Sequence, residues 1–226
     1  MIAPLSDQFG RRIDYLRISV TDRCNFRCAY CMPLEGLPWL PREEILSYEE
    51  ITDVVRQLAP LGVSRLRITG GEPTIRPQLA TLVAMLRAVP GIEDIALSTN
   101  GVKLPQMAEE LRAAGLDRVN MSADSLRPDR IREIARRSLS FNPIDAALAA
   151  ERAGLGPVKL NTVVMRGVND DELEDFARLT LEHPWHVRFI ELMPVGEMRE
   201  LTFEHVVPSD EILARLSAIA PLAADG

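Results

Sequence analysis

Apolar residues recur along this chain with two different periods. Short β-branched runs that alternate apolar and polar positions fall near 15–20, 64–69, 94–99, 117–122, 157–163 and 186–192. Between them lie stretches whose apolar residues return every three or four positions, which predicts helices over 48–59, 77–88, 105–114, 142–153 and 171–182, a short one near 128–136 and a last one from about 209. Ser47 with Glu50 makes a capping box at the head of the first helix, and Gly62 ends it. The 32–46 stretch, with Pro33, Pro38 and Pro41, reads as loop. A strand–helix repeat implies an α/β fold with a parallel sheet. Six units in one continuous run favour a partial (β/α)6 TIM-like barrel over a doubly wound sheet, with the working face at the C-terminal ends of the strands. Residues 1–226 read as one domain, with an N-terminal segment to about 14 and an irregular tail from about 216.

The alternation carries a second signal. One face of the strands reads Leu16, Ile18, Val20; Leu66, Ile68; Ile95, Leu97; Val119, Met121; Val158, Leu160; Val187, Phe189. The other reads Arg17, Ser19; Arg67, Thr69; Ser98, Asn100; Asn120, Ser122; Lys159, Asn161; Arg188. Parallel strands covered on both sides are normally apolar throughout, so a polar face repeated six times predicts a cavity lined for hydrogen bonding. A shallow open sheet with one solvated face is the alternative. Unpaired polar groups in a dry interior cost about 1–3 kcal/mol each, so the cavity is expected to hold solvent or ligand. Four of its positions are cationic, Arg17, Arg67, Lys159 and Arg188. Each contact with an anion at about 4 Å gives roughly 4 kcal/mol of gross attraction at an effective dielectric near 20, enough in combination for a polyphosphate. Any one of them paired with an acid such as Asp124 or Glu72 would instead be structural.

Composition narrows the setting. The chain is 46% hydrophobic, has no run of about 18 apolar residues and carries a formal net charge of −7, which disfavours membranes and nonspecific nucleic-acid binding. Its first fourteen residues include Asp7, Arg11, Arg12 and Asp14 and lack the apolar core of a signal peptide, so the expected location is cytoplasmic.

All three cysteines lie within eight positions, Cys24, Cys28 and Cys31 in CNFRCAYC. An odd number packed into one loop argues for ligands or nucleophiles and against a disulfide framework. Zinc would need a fourth ligand from His183, His186 or His205, and small core hydrophobes are the bland reading. An iron–sulfur cube fits better, since three thiolates leave one of its four irons open. Phe26 and Tyr30, between the ligands, can shield a cluster or stack on an aromatic guest.

The C-x3-C-x2-C spacing, with TGGEP at 69–73, resembles the radical S-adenosylmethionine superfamily. RISVTDRCNFRCAYCMP at 17–33, RITGGEP at 67–73, STNG at 98–101, NMSADSL at 120–126, KLNTVVMRGVND at 159–170 and RFIELMPVG at 188–196 together resemble the GTP 3′,8-cyclase family of molybdenum cofactor biosynthesis, over about 8 to 215. That resemblance implies a [4Fe–4S] cluster on Cys24, Cys28 and Cys31, S-adenosyl-L-methionine held at Tyr30, Gly71, Ser122 and Met193, and GTP held at Arg17, Arg67, Ser98 and Lys159, with Arg188 a further member of the cage. It implies that an electron from the cluster cleaves S-adenosylmethionine to methionine and a 5′-deoxyadenosyl radical. This radical takes the ribose 3′ hydrogen of GTP, and the new carbon radical closes onto guanine C8. The expected partners are GTP and an external electron donor, with no nucleic acid and no membrane, and a homodimer is among the assemblies open to it. The family carries a second three-cysteine cluster and a Gly-Gly tail in a C-terminal extension, and it commonly reads SLDSL where this chain has SADSL. Neither the second cluster nor the tail occurs in these 226 residues, so the expectation is that cosubstrate binding survives in this chain while cyclisation is weak or absent. A radical enzyme for a peptide or another small anion, and a non-catalytic iron–sulfur or zinc module, are the competing functions.

Overall fold

The computed structural model describes residues 5–193, 201–219 and 221–223. Among the described residues six strands alternate with seven α-helices: β1 (Tyr15–Ser19), α1 (Tyr48–Leu58), β2 (Arg65–Thr69), α2 (Leu79–Arg87), β3 (Asp94–Thr99), α3 (Leu104–Ala113), β4 (Arg118–Ser122), α4 (Pro128–Ala135), α5 (Pro143–Arg152), β5 (Lys159–Val164), α6 (Leu173–Glu182), β6 (His186–Glu191) and α7 (Ser209–Ser217). The strands form one six-stranded sheet in the order β1-β2-β3-β4-β5-β6. β1 with β2, β2 with β3, and β5 with β6 pair in parallel. The α/β class and the sequential strand order are those that the repeat predicts. No described helix is long and apolar enough to cross a membrane.

Local chemistry explains the boundaries. The Ser47 side chain accepts from the Glu50 N–H, and the Glu50 carboxylate accepts from the Ser47 N–H, so both orphan donors at the head of α1 are satisfied. The helix closes at Leu58, and a 3-10 turn over Ala59–Leu61 carries the chain to Gly62, whose φ of 102° only glycine adopts without penalty. α2 begins two residues later than its periodicity suggests, because Pro77 is followed by Gln78 in a left-handed conformation.

Contacts divide the chain into two compact units, Met1–Asn25 with Pro38–Asn120 and Asp145–Gly156, and Phe26–Leu37 with Met121–Ile144 and Pro157–Gly226. The first unit buries Leu66 and Ile68 of β2 and Ile95 and Leu97 of β3 completely, together with Leu82 and Leu86 of α2 and Leu104 and Leu111 of α3. These are the apolar positions of the strand alternation and of the helix stripes. In the second unit Val164, Leu173, Val207 and Ile212 form a core against which Phe189 and Leu216 pack, and Phe176 meets Phe189 edge to face at 6.5 Å between centroids. β6 is the least buried strand, with Val187 and Phe189 only half-covered.

Candidate active site

Directly after β2, the TGGEP segment lies against the residues that lead into the cysteine loop. Gly71 N–H donates to the Thr21 carbonyl and Glu72 N–H to the Arg23 carbonyl, both at 2.7 Å. A Cβ on Gly71 would overlap the Arg23 carbonyl group, and one on Gly70 would meet the Thr21 oxygen. Glycine is required at these places by backbone approach. Glu72 itself is buried. Its Oε1 accepts from Thr74 N–H at 3.0 Å, from Thr74 Oγ1, and from Thr99 Oγ1 at 2.7 Å; its Oε2 accepts from Asn100 N–H at 2.6 Å. Asn100 in turn donates Nδ2–H to Asn25 Oδ1 at 2.7 Å, and Asn25 is the neighbour of Cys24. One hydrogen-bonded chain thus runs from Glu72 through the end of β3 to the first cysteine position.

The rest of the cysteine loop is fixed in the second unit. α4 ends with Arg136 in a left-handed conformation (φ 50°), which leaves late carbonyls of the helix available. Arg27 N–H donates to the Ala135 carbonyl at 2.9 Å and Ala29 N–H to that of Ile134 at 3.0 Å. Tyr30 Oη donates to Asp124 Oδ2 at 2.7 Å, while Asp124 Oδ1 accepts from Val163 N–H at 2.9 Å. Asn169 braces the same corner, donating from Nδ2 to the carbonyls of Asp124 and Val163. Burial drives the Asp124 carboxyl up to about 6, against the pull of the Tyr30 and Val163 donors. Burial first, and then the Asp124 charge, hold the Tyr30 phenol well above its ordinary value and raise the Cys31 thiol.

The three cysteines suit an iron–sulfur cluster. None is in a disulfide, and Cys31 is exposed as a residue although its thiol is partly desolvated. Among the described residues no three His, Cys, Asp or Glu side chains converge as ligands of a metal ion, whereas a cube takes its thiolates at separate iron corners. Two of the three histidines considered for zinc make contacts elsewhere: His183 stacks on Trp185 at 4.0 Å, and His205 Nδ1 accepts from Thr202 N–H. A cluster must bind thiolate, so loading releases a proton from the raised Cys31 thiol.

The polar strand face carries the predicted cations. Arg17 and Arg67 are direct cross-strand partners on β1 and β2, and the Arg67 guanidinium lies 5.5 Å from the centroid of the Tyr15 ring. Among the described residues neither arginine has an acidic partner, and the buried Nε of Arg67 has no hydrogen bond. Glu72 and Asp124, the acids that would have made these cations structural, are committed to the networks above. Ser98 is half-buried on β3. In the second unit Arg188 of β6 stands opposite Asn161 of β5, and Lys159 begins the same face of β5. Ser122 is exposed at the end of β4, and Met193 is 68% exposed just after β6. Sequence reasoning missed Asn25 and Asn169, and it treated Glu72 and Asp124 only as partners for cations; an acid followed by proline straight after a strand was the available signal for Glu72.

Residues 18–180 match the Radical SAM superfamily. GTP 3′,8-cyclase of Moorella thermoacetica is 51% identical over 218 residues, covering 96% of this chain and 67% of the relative. That of Heliobacterium modesticaldum is 57% identical over 194 residues, covering 84% and 58%. The chain therefore spans some three-fifths to two-thirds of these relatives' length. Among solved structures, Streptococcus suis SuiB bound to S-adenosylmethionine matches 91% of this chain and 46% of its own with a TM-score of 0.68 at 17% identity, a likeness of fold. By the extent of the superfamily match and the identity to the cyclases, this chain belongs to the radical S-adenosylmethionine superfamily and, within it, to the GTP 3′,8-cyclase family.

Proposed function

We propose that this chain performs the radical-generating and GTP-holding part of GTP 3′,8-cyclisation, the first step of molybdenum cofactor biosynthesis, as one radical S-adenosylmethionine domain. The observation that carries the reading is the Arg17–Arg67 pair, two arginines in direct register on neighbouring strands without an acidic partner among the described residues. Like charges side by side are destabilising, and an anion bound between them removes that cost. Arginine forks match phosphate oxygens in pairs, so a triphosphate is the fitting guest. Ser98 supplies a hydroxyl on β3, and Lys159 and Arg188 are further nucleotide contacts.

Cys24, Cys28 and Cys31 are the ligands of a [4Fe–4S] cluster that, when bound and reduced by an external donor, supplies the electron that cleaves S-adenosylmethionine. Gly71, Tyr30, Ser122 and Met193 are the cosubstrate contacts. The Gly71 backbone is held by its bond to Thr21, and Tyr30 by its bond to Asp124. Rigid placement is what the chemistry asks of the protein: the reacting atoms must be held about 3–3.5 Å apart and aligned, and a misplacement of about 1 Å can cost roughly 100-fold in rate.

The test is anaerobic reconstitution followed by iron and sulfide analysis and electron paramagnetic resonance of the reduced protein. Four irons per chain and a spectrum that changes on addition of S-adenosylmethionine are expected, with GTP binding measured separately. Stoichiometric zinc with no iron, or a spectrum indifferent to the cosubstrate, would sink the reading.

A further inference from the structure

Asn120, in the middle of β4, is buried, and both atoms of its amide lack a hydrogen-bond partner. A side chain with two donors and an acceptor in such a state is costly to keep, and its neighbours Val119 and Met121 are fully buried on the apolar side. The strand alternation puts Asn120 on the polar face, and its position along the strand says what it meets. Arg17 and Arg67 are register partners, and the buried Nε of Arg67 is likewise without a partner. Gly71 and Ser122, the cosubstrate positions, come later, beyond β2 and at the last residue of β4. Arg67 is in register with Ala96, and Asp117 N–H donates to the Ile95 carbonyl, so Asn120 comes near the end of β3, past the level of Arg67 and beside the stretch that holds Ser98, the hydroxyl assigned to the nucleotide.

We propose that Asn120 is an additional nucleotide-binding residue, whose amide donates to an anionic or hydroxyl oxygen of the nucleoside triphosphate. The inference rests on the GTP-binding reading above. A buried polar group kept for a ligand destabilises the protein without that ligand, which gives the proposal a signature that a structural asparagine lacks.

The test compares wild type with Asn120→Leu and Asn120→Asp, each reconstituted with cluster, by equilibrium binding of GTP and of S-adenosylmethionine and by thermal unfolding without ligand. Asn120→Leu, of similar size, is expected to weaken GTP binding about 10-fold or more, leave S-adenosylmethionine binding unchanged, and raise the ligand-free melting temperature by roughly 2–4 °C. Asn120→Asp places a negative charge before the phosphates and should weaken GTP binding further than Asn120→Leu. If wild type binds GTP and Asn120→Leu binds it equally well, Asn120 has no part in the nucleotide site and the inference fails alone. A lower melting temperature for Asn120→Leu, with both ligands weakened alike, overturns it in favour of a structural amide. Should wild type bind S-adenosylmethionine but not GTP, the GTP reading falls and takes this inference with it.

Discussion

Gly71 and Glu72 are neighbours that act on the backbone in opposite ways. Gly71 permits an approach that any side chain would block, and Glu72 gathers the donors that the approach leaves near it. Because the atom a new Cβ would strike is a backbone carbonyl and not a flexible side chain, relief requires the Thr21–Arg23 segment to move. Gly71→Ala is therefore expected to cost about 1–3 kcal/mol in urea unfolding, as overpacked sites do. It should also reduce iron retention on the adjoining Cys24. Unchanged stability and full iron content would show that the segment gives way freely. Asp124 offers a pH-dependent counterpart. Its carboxyl is held near 6 in the fold, against about 3.9 in an unfolded chain. The folded state thus binds the proton more tightly, and the stability this gives is complete below about pH 4 and lost as the pH rises through 6. The amide introduced by Asp124→Asn cannot titrate, yet it keeps an acceptor for Val163 N–H and a donor for the Tyr30 oxygen. In the cluster-free protein the stability of Asp124→Asn relative to wild type should therefore climb by roughly 2–3 kcal/mol from pH 4 to pH 6.5 and then level off. A difference that stays constant over this range would mean that the carboxyl is not perturbed by burial.

At the scale of elements, the first helix depends most visibly on a local signal. Both halves of the Ser47–Glu50 box are formed, so Ser47→Ala leaves the Glu50 N–H without its acceptor and should cost about 1 kcal/mol by denaturant unfolding. A loss below a few tenths would show that solvent replaces the cap. Such signals are contiguous in sequence, which is why, unlike the short 3-10 turns, each described strand and α-helix was legible with ends misplaced by only a residue or two. The start of α2 was less so, since nothing in the composition of Pro77-Gln78 announces a left-handed glutamine. The strand alternation likewise exposed the cation face from the sequence alone. It did not show that Glu72 and Asp124 were unavailable to those cations, because each carboxylate takes donors distant in sequence, Thr99 and Asn100 lying 27 and 28 positions from Glu72, and Val163 and Tyr30 lying 39 and 94 from Asp124. Periodicity reports which way a residue faces and is blind to partners chosen by tertiary folding.

For the molecule as a whole, the net charge and the binding face have opposite signs. A formal charge of −7 repels GTP at long range, while Arg17 and Arg67, on the face proposed to bind it, would attract it at contact. Salt screens both, with a Debye length of about 10 Å at 0.1 M, but not equally. A charge farther than that from a bound triphosphate is already muted at moderate ionic strength, whereas the half-buried Arg67, on the face proposed to hold it, is not. If the local pair dominates, GTP affinity falls as salt rises from 0.05 to about 0.3 M. Arg67→Gln removes one member of the pair and keeps a hydrogen-bonding side chain, so it should lower affinity at least about 10-fold, equivalent to about 1.4 kcal/mol, and flatten the salt dependence. Should affinity rise with salt in the wild type, long-range repulsion would be the governing force, and the adjacent arginines would not be the seat of triphosphate binding. The same titration with S-adenosylmethionine, whose sulfonium, amino and carboxylate charges sum to about +1, is the internal control. It is expected to respond weakly to salt and not at all to Arg67→Gln, because the arginine layer lies deeper along β2 than Gly71.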